Sequence, residues 1–584
     1  MFKTICALLA ISLAGVSCTR RSSDNENSVS YGLKGHLKAL DPAQASEETS
    51  NEVLPNIYET LLQYHYLKRP LVTEPLLAKA MPEVSKDGLT VKIRLLEGVR
   101  FHDSEVFPEG KGRLVTAEDF VFSWKRLADP RLKGEGFWLF DGKIKGLNEW
   151  RDRLAKNEGR FEDPIEGLQT PDAQTLVLRL TRPWYQLNYI LAMPYTSVVP
   201  HEAVEKYGEE FMNHPVGTGP FVFASWVRGN KVTLKRNPNW HGGTYPTEGA
   251  PGDKERGLLA DAGKPLPFID TLVFQEMPES QTRWLNVMKG HLDFMAIPKD
   301  NFDSAMDKGQ LKPDLAQKGM RIFSAPAQEV VFCGFNMQDP ILGSNVELRR
   351  ALALAYDGET ARQKFYNNQA ALAHSPLAPD IEGYDPNFRN PYKEFNLAKA
   401  KEHLKKAGYP DAKGLPPLEY SVPNTTTDRQ MAEYLEQQFA QIGVRVNIVS
   451  NSWPQFIERI NSRKVQMFGI AWGADYPDQN NMLQTLYSKN ASPGPNQANY
   501  SNKEFDALFE KAERMPPGPA RTELYKKMRD KFVEDMPWIP TVHRINNILY
   551  NGWVNNLKRH EAVFGMYKYL RVDLQKKSEL RAKL

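Results

Sequence analysis

The chain has 584 residues, 41% of them hydrophobic and 25% charged, the balance of a globular protein with material for two or more lobes, which excludes a disordered or membrane-embedded chain. Its 75 basic and 71 acidic residues leave a formal charge of +4. No long basic block appears, so charge gives no argument for nucleic acid as a partner.

The chain opens on an export signal. Lys3 gives a minimal positive start, and residues 5–16 form an apolar run too short to span a bilayer comfortably. Residues 1–17 are therefore expected to be a signal peptide, and 18–28 a polar tether. With Cys6 in the signal and Cys18 at the junction, Cys333 is left alone, so cysteines build neither a disulfide framework nor a metal cluster. Cys333 sits in the apolar run Val330-Val331-Phe332-Cys333-Gly334-Phe335 and reads as a small core residue.

The folded body is expected to begin with a short strand at 29–33. Residues 56–62 are apolar at helical spacing, and 90–95 alternate as a half-buried strand does. Thr116 to Asp119 reads as a capping box for a helix whose apolar stripe is Phe120, Val121, Trp124 and Leu127. Leu176, Leu178 and Leu180 alternate again. Gly217-Thr218-Gly219-Pro220-Phe221 is a turn into strand material, with Val232 and Leu234 beyond it. The Gly/Pro-rich stretch 242–267 reads as an exposed loop. Its Gly257 to Lys264 run resembles a phosphate loop only superficially, because the spacing is one residue too long and Pro265 stands where Ser or Thr must meet the magnesium.

The second half alternates capped helices with strands. Ser344 to Glu347 reads as a capping box. A helix from Thr427 turns Met431, Leu435, Phe439 and Ile442 inward and ends at Gly443, before a strand at 444–448. Ser501 to Glu504 caps a further helix. Helix, glycine and strand in succession imply an α/β lobe with parallel pairing. The run Gly469-Ile470-Ala471-Trp472-Gly473-Ala474-Asp475-Tyr476-Pro477-Asp478 is a strand that stops abruptly and leaves a carboxylate beside an aromatic surface. It reads either as a surface turn or as a seat for a small cation such as a peptide amine.

No catalytic residues emerge. The chain has no Gly-x-Ser-x-Gly elbow, and Glu205 follows His201-Glu202 where a zinc protease needs its second histidine. The histidines are scattered without metal-ligand spacing, and His102 and Asp103, as loop neighbours, are poorly disposed to face each other.

Four blocks taken in order resemble the bacterial extracellular solute-binding proteins of the oligopeptide and dipeptide transport type. They are Tyr58-Glu59-Thr60-Leu61 with Gly98 to Asp103 and Thr116 to Ser123; Gly217 to Phe221 with Arg236-Asn237-Pro238-Asn239-Trp240; Leu348 to Asp357; and Trp472 to Asp478. Ser104 replaces a frequent glycine. The resemblance implies an α/β, two-lobed periplasmic binding protein type II fold with an extra domain inserted in the first lobe. Lobe I would comprise 29–60, 167–298 and 530–584, the inserted α+β domain 61–166, and lobe II 299–529. The implied function is non-catalytic: capture of short peptides between closing lobes and delivery to the permease of an ABC importer, as a monomer without cofactor or metal. The same fold could instead bind another solute, or sense peptides without transporting them. Asp475 would pair with the peptide α-ammonium, and Ala471, Trp472 and Gly473 would meet the peptide backbone, with Trp472 read equally as core. Cys18 resembles a lipobox cysteine, which implies a lipid-anchored protein of the periplasm or cell envelope; Gly15 replaces the usual leucine, and Gly15 and Ser17 also suit an ordinary signal peptidase.

Overall fold

The first described strand, β1 (Ser28–Leu33), is largely buried, as a central apolar strand must be. The computed structural model describes residues 26–584 except Ser46, Lys133, Glu135 and Glu561, so the expected signal peptide and Cys18 lie outside the described residues. After β1 the expected helix at 56–62 is replaced. A helix at Glu48–Val53 and one 3-10 turn at Leu54–Asn56 precede a short strand at Leu62–Tyr64. The Ile57 carbonyl accepts from Gly219 N at 2.8 Å, and a Cβ on Gly217 would stand 2.0 Å from that same oxygen. The apolar residues at 56–62 thus serve a packed extended segment, with the glycine turn pressed against its backbone.

The chain then detours into the small domain. β2 (Glu83–Val84), β3 (Thr90–Arg94), β4 (Leu168–Asp172) and β5 (Thr175–Arg179) form an antiparallel sheet in the order β2-β3-β5-β4. Helix Ala117–Ala128 begins with the expected capping box and buries Phe120, Trp124 and Leu127. Because β4 and β5 complete this sheet, the inserted domain continues past the expected limit of 166. It shares one apolar core with lobe I and is an outgrowth of that lobe.

Lobe I resumes with β6 (Phe221–Val227), β7 (Lys231–Arg236), β8 (Thr271–Glu276) and β9 (Phe294–Ala296), where β1 lies parallel to β8 and β9. The 242–267 stretch is not simply an exposed loop. Tyr245, Asp253 and Asp261 are buried. Lys558 Nζ donates to Asp253 at 2.6 Å, while Asn556 Nδ2 and Arg571 Nε donate to Asp261 at 2.9 and 2.7 Å. Polar residues that read as solvated are consumed in pairs with the C-terminal segment.

β10 (Met320–Pro326) and β11 (Glu329–Phe335) lead from one lobe to the other. Lobe II adds β12 (Ala370–Leu372), β13 (Leu418–Pro423), β14 (Val446–Asn451) and β15 (Met467–Gly473). β13 pairs parallel with β14 and β15, as helix–strand alternation requires, but β11 pairs antiparallel with β15, so this lobe is mixed rather than parallel throughout. Two caps move by one residue: Asn345 Oδ1 accepts from Leu348 N, and Asn502 Oδ1 from Phe505 N, in place of Ser344 and Ser501. Cys333 is buried, as expected.

The last strand, β16 (Trp538–Asn551), belongs to both lobes. Residues 538–544 pair with β11 and β12, and residues 545–551 with β9 and β10. All twelve strands thus join one sheet, β14-β13-β15-β11-β16-β9-β1-β8-β7-β6, with β10 and β12 also on β16. The expected limits of lobe II at 299 and 529 shift accordingly. Residues Phe302, Leu315 and Met320 pack with Trp284 and Leu549 of lobe I, and 530–544 pair within lobe II. Among the described residues the chain crosses between lobes at 326–329 and 544–545.

Candidate functional site

β15 runs out of the lobe II core toward the interlobe cleft. Its partner β11 covers one edge along its whole length, from Glu329↔Gly473 to Phe335↔Met467. On the other edge β13 pairs only with Met467 and Phe468, so residues 469–473 present an open strand edge. Gly473 is exposed, and a Cβ placed there would meet nothing within 4 Å. An extended chain can approach this edge closely.

The strand ends at Gly473, and Asp475 just beyond it lines the main chamber of the cleft, a space of about 770 Å³ bounded by both lobes. Four carboxylates line this chamber. Glu48 pairs with Lys34 at 2.8 Å, Glu52 with Arg559 at 2.8 Å, and Glu329 with Arg544. Asp475 alone among these four has no cation within ion-pair distance among the described residues. Its Oδ2 accepts from Asn481 Nδ2 at 2.8 Å, and its backbone N donates to Asn481 Oδ1 at 3.1 Å. Burial raises its pKa, and the one neutral donor only partly opposes that. Glu52 is the contrast: burial acts on it too, yet Arg559 and Tyr567 hold it below the usual carboxylate range.

Trp472 does not line the chamber. Its ring packs on the lobe II core, and its indole N–H donates to Asn481 Oδ1 at 3.3 Å. It steadies the amide that steadies Asp475. Ala471 lines a separate pocket of lobe II, away from Asp475. Of the four residues expected at the ligand, Asp475 and Gly473 therefore share the main chamber, and Ala471 and Trp472 do not.

The lobes also touch. Tyr189 of lobe I stacks on Tyr476 of lobe II, with centroids 5.9 Å apart. Glu513, at the end of a lobe II helix, accepts from Lys143 Nζ at 2.8 Å and pairs with Arg182 at 3.0 Å, both from the lobe I side. A second chamber of about 850 Å³ has Asp253 and Arg256 of the 242–267 stretch in its wall. His560 and Arg559 line both chambers; burial depresses His560 to about 3, so it stays neutral. His102 is buried against the Gly219 carbonyl and depressed to about 4, while Asp103 pairs with Lys111, so the two form no acid–base pair.

The sequence profile of the bacterial extracellular solute-binding proteins, family 5 (middle region), matches residues 72–494. The chain belongs to this family. This solute-binding protein is 26% identical over 567 residues to heme-binding protein A of Haemophilus influenzae, covering 94% of this chain and 93% of that one. It is 26% identical to the dipeptide-binding protein of Escherichia coli, with 92% and 93% covered. Among solved structures, the periplasmic binding protein DppA of Helicobacter pylori in complex with the peptide STSA superposes with a TM-score of 0.74 at 23% identity, covering 93% and 98%. The two-lobed type II fold of this solute-binding protein is the fold of these neighbours.

Sequence reasoning missed Asn481 and Tyr64. Asn481 stands only six residues after Asp475, and a helix capped by Asp478 turns it back toward the strand end. Tyr64 Oη is buried without a hydrogen-bond partner among the described residues and feels the charge of Asp475. Nothing in the local sequence marks it, because the two residues stand far apart along the chain.

Proposed function

We propose that this solute-binding protein captures short peptides bearing a free amino terminus between its lobes and hands them to the permease of an ABC importer. The observation that carries this reading is Asp475, the one carboxylate of the chamber lining left without a cation. A half-buried carboxylate held by a single amide favours a positive partner, and a ligand ammonium supplies it. The open edge of β15 at 469–473 adds main-chain hydrogen bonds to an extended ligand, which favours breadth over sequence specificity. Lys299, whose Nζ donates to the Gln430 amide oxygen and lies over the Phe365 ring, lines the same chamber and is a cation for a ligand carboxylate. Relatives named for dipeptides and for glutathione support an amine-bearing ligand. Closure uses the two crossings at 326–329 and 544–545 as a hinge. The protein acts as a monomer, without catalysis, cofactor or metal, and is held at the cell envelope through a lipid on Cys18.

The test is calorimetric titration of the wild-type protein with matched tripeptides, free and N-acetylated. Free peptides are expected to bind, and acetylated ones to bind at least a hundredfold more weakly, the order expected when a buried charge loses its partner. Equal affinity for both sets sinks the assignment.

A further inference from the structure

Buried polar groups left without partners gather around the second chamber. Arg69, Gln328 and Arg521 all line it. Arg69 Nη2, Gln328 Oε1 and Arg521 Nε are each shut off from solvent with no hydrogen-bond partner among the described residues. Arg69 is held in place through Nη1, which donates to the Tyr66 and Lys68 carbonyls at 3.2 and 2.8 Å. The Gln328 amide is held through Nε2, which donates to the Asp380 carbonyl at 3.2 Å. Native interiors pair nearly all such groups, so three at one chamber point to a polar guest.

Charge divides the same chamber by lobe. On the lobe I wall Lys558 is engaged by Asp253 and Arg559 by Glu52. That leaves Arg69 and Arg256 as lining cations without an ion-pair partner among the described residues. On the lobe II wall Arg521 pairs with Asp478 at 2.9 Å, which leaves Asp380 and Glu382. Glu382 accepts from the Thr522 hydroxyl at 2.6 Å, and Arg69 feels the charge of Asp380. Two unpaired cations of one lobe thus share a chamber with two unpaired carboxylates of the other. Leu71, Phe323, Ile381 and Tyr384 add apolar surface to the walls. At about 850 Å³ the space has the size of a small-molecule site. Among the described residues it shares only Arg559 and His560 with the main chamber, so Asp475 takes no part in it.

We propose that the second chamber is a separate site for a small zwitterion with an apolar side chain, of the free α-amino acid class. Its carboxylate goes to Arg69 and Arg256 of lobe I, its ammonium to Asp380 and Glu382 of lobe II, and its side chain to the apolar walls. A neutral guest leaves both walls uncompensated. A guest of a single charge suits one wall and opposes the other. The site is independent of the peptide reading above.

The test uses Asp475→Asn, which lacks the amine seat of the main chamber, and calorimetric titration with L-leucine and L-phenylalanine. At least one is expected to bind, one molecule per protein. The analogues that lack a charge, isocaproate and isoamylamine for leucine, phenylpropanoate and phenethylamine for phenylalanine, are expected to bind at least about tenfold more weakly, the order of a lost charge-assisted contact. Arg69→Met and Asp380→Asn, each added to the same background, are expected to weaken amino-acid binding by about tenfold or more. No binding of either amino acid overturns the proposal, and so does binding that ignores either substitution. Binding to the wild type that disappears in Asp475→Asn puts the amino acid in the main chamber and overturns it as well. Should Arg69→Met fail to fold, Asp380→Asn, at an exposed residue, decides by itself.

Discussion

Replacing Asp475 with asparagine preserves the shape of the side chain and its contact with Asn481 while removing its charge. In the complex, the lost partner leaves a ligand ammonium buried in a chamber whose other carboxylates, Glu48, Glu52 and Glu329, are engaged by Lys34, Arg559 and Arg544. Stranding one member of a buried ion pair costs about 3–5 kcal/mol, or roughly a hundredfold to several thousandfold in Kd. The empty protein should respond in the opposite sense. Burial raises the pKa of Asp475, so at neutral pH its ionised form costs folding free energy that asparagine does not. Asp475→Asn is therefore expected to melt at or above the wild-type temperature without ligand, and to lose the ligand-induced rise in Tm. Calorimetry on one free peptide and thermal scans with and without it make the measurement. Binding within about threefold of wild type would refute the role of Asp475 in holding the amine, and a lower melting temperature would make its carboxylate a structural group.

The same raised pKa predicts how binding depends on pH. Affinity should be flat near neutrality and fall as pH drops through the pKa of Asp475, beginning above the ordinary carboxylate range of about 4; Asp475→Asn should show no such fall, which titrations from pH 7 to pH 4 would check. Glu513 joins lobe II to Lys143 and Arg182, and Glu513→Gln should weaken two partly buried pairs worth together about 1–2 kcal/mol. Small-angle scattering should then show a more open empty protein, and titration a roughly 5–30-fold weaker Kd; unchanged scattering would mean that these pairs do not hold the lobes together. Lys393 has a sealed ammonium without a hydrogen-bond partner among the described residues, depressed by burial to about 7. Its unfolded form keeps its proton up to about 10.4, so stability should rise with pH between those values, the penalty being absent above that range and complete below it. Lys393→Met should melt higher than wild type at pH 6 by an amount reflecting a few kcal/mol, and the gap should shrink by pH 9.

Local chemistry was legible in the sequence wherever a decision was local. The capping box at Thr116 and Asp119, the alternating strand at Thr90–Arg94 and the turn that stops β15 before Asp475 all depend on neighbouring residues. The role proposed for Asp475 came from resemblance, since a carboxylate after a glycine strand reads equally as a turn. What sequence reasoning could not reach is set by distance along the chain. Arg559 meets Glu52 from 507 positions away, and Lys558 meets Asp253 from 305; those pairings silence one set of charges and leave Asp475 bare. The lobe boundaries were misplaced for a related reason. A single strand, β16, serves both lobes, and nothing in its composition changes between Arg544 and Ile545, where it crosses. The helix expected at 56–62 failed because a glycine turn 160 residues later takes the Ile57 carbonyl.

The most direct test of peptide capture is native mass spectrometry of the protein purified without refolding. A set of adducts whose masses match short peptides is expected, released when the amine site is lost in Asp475→Asn. One discrete non-peptide mass, retained by that variant, would contradict it.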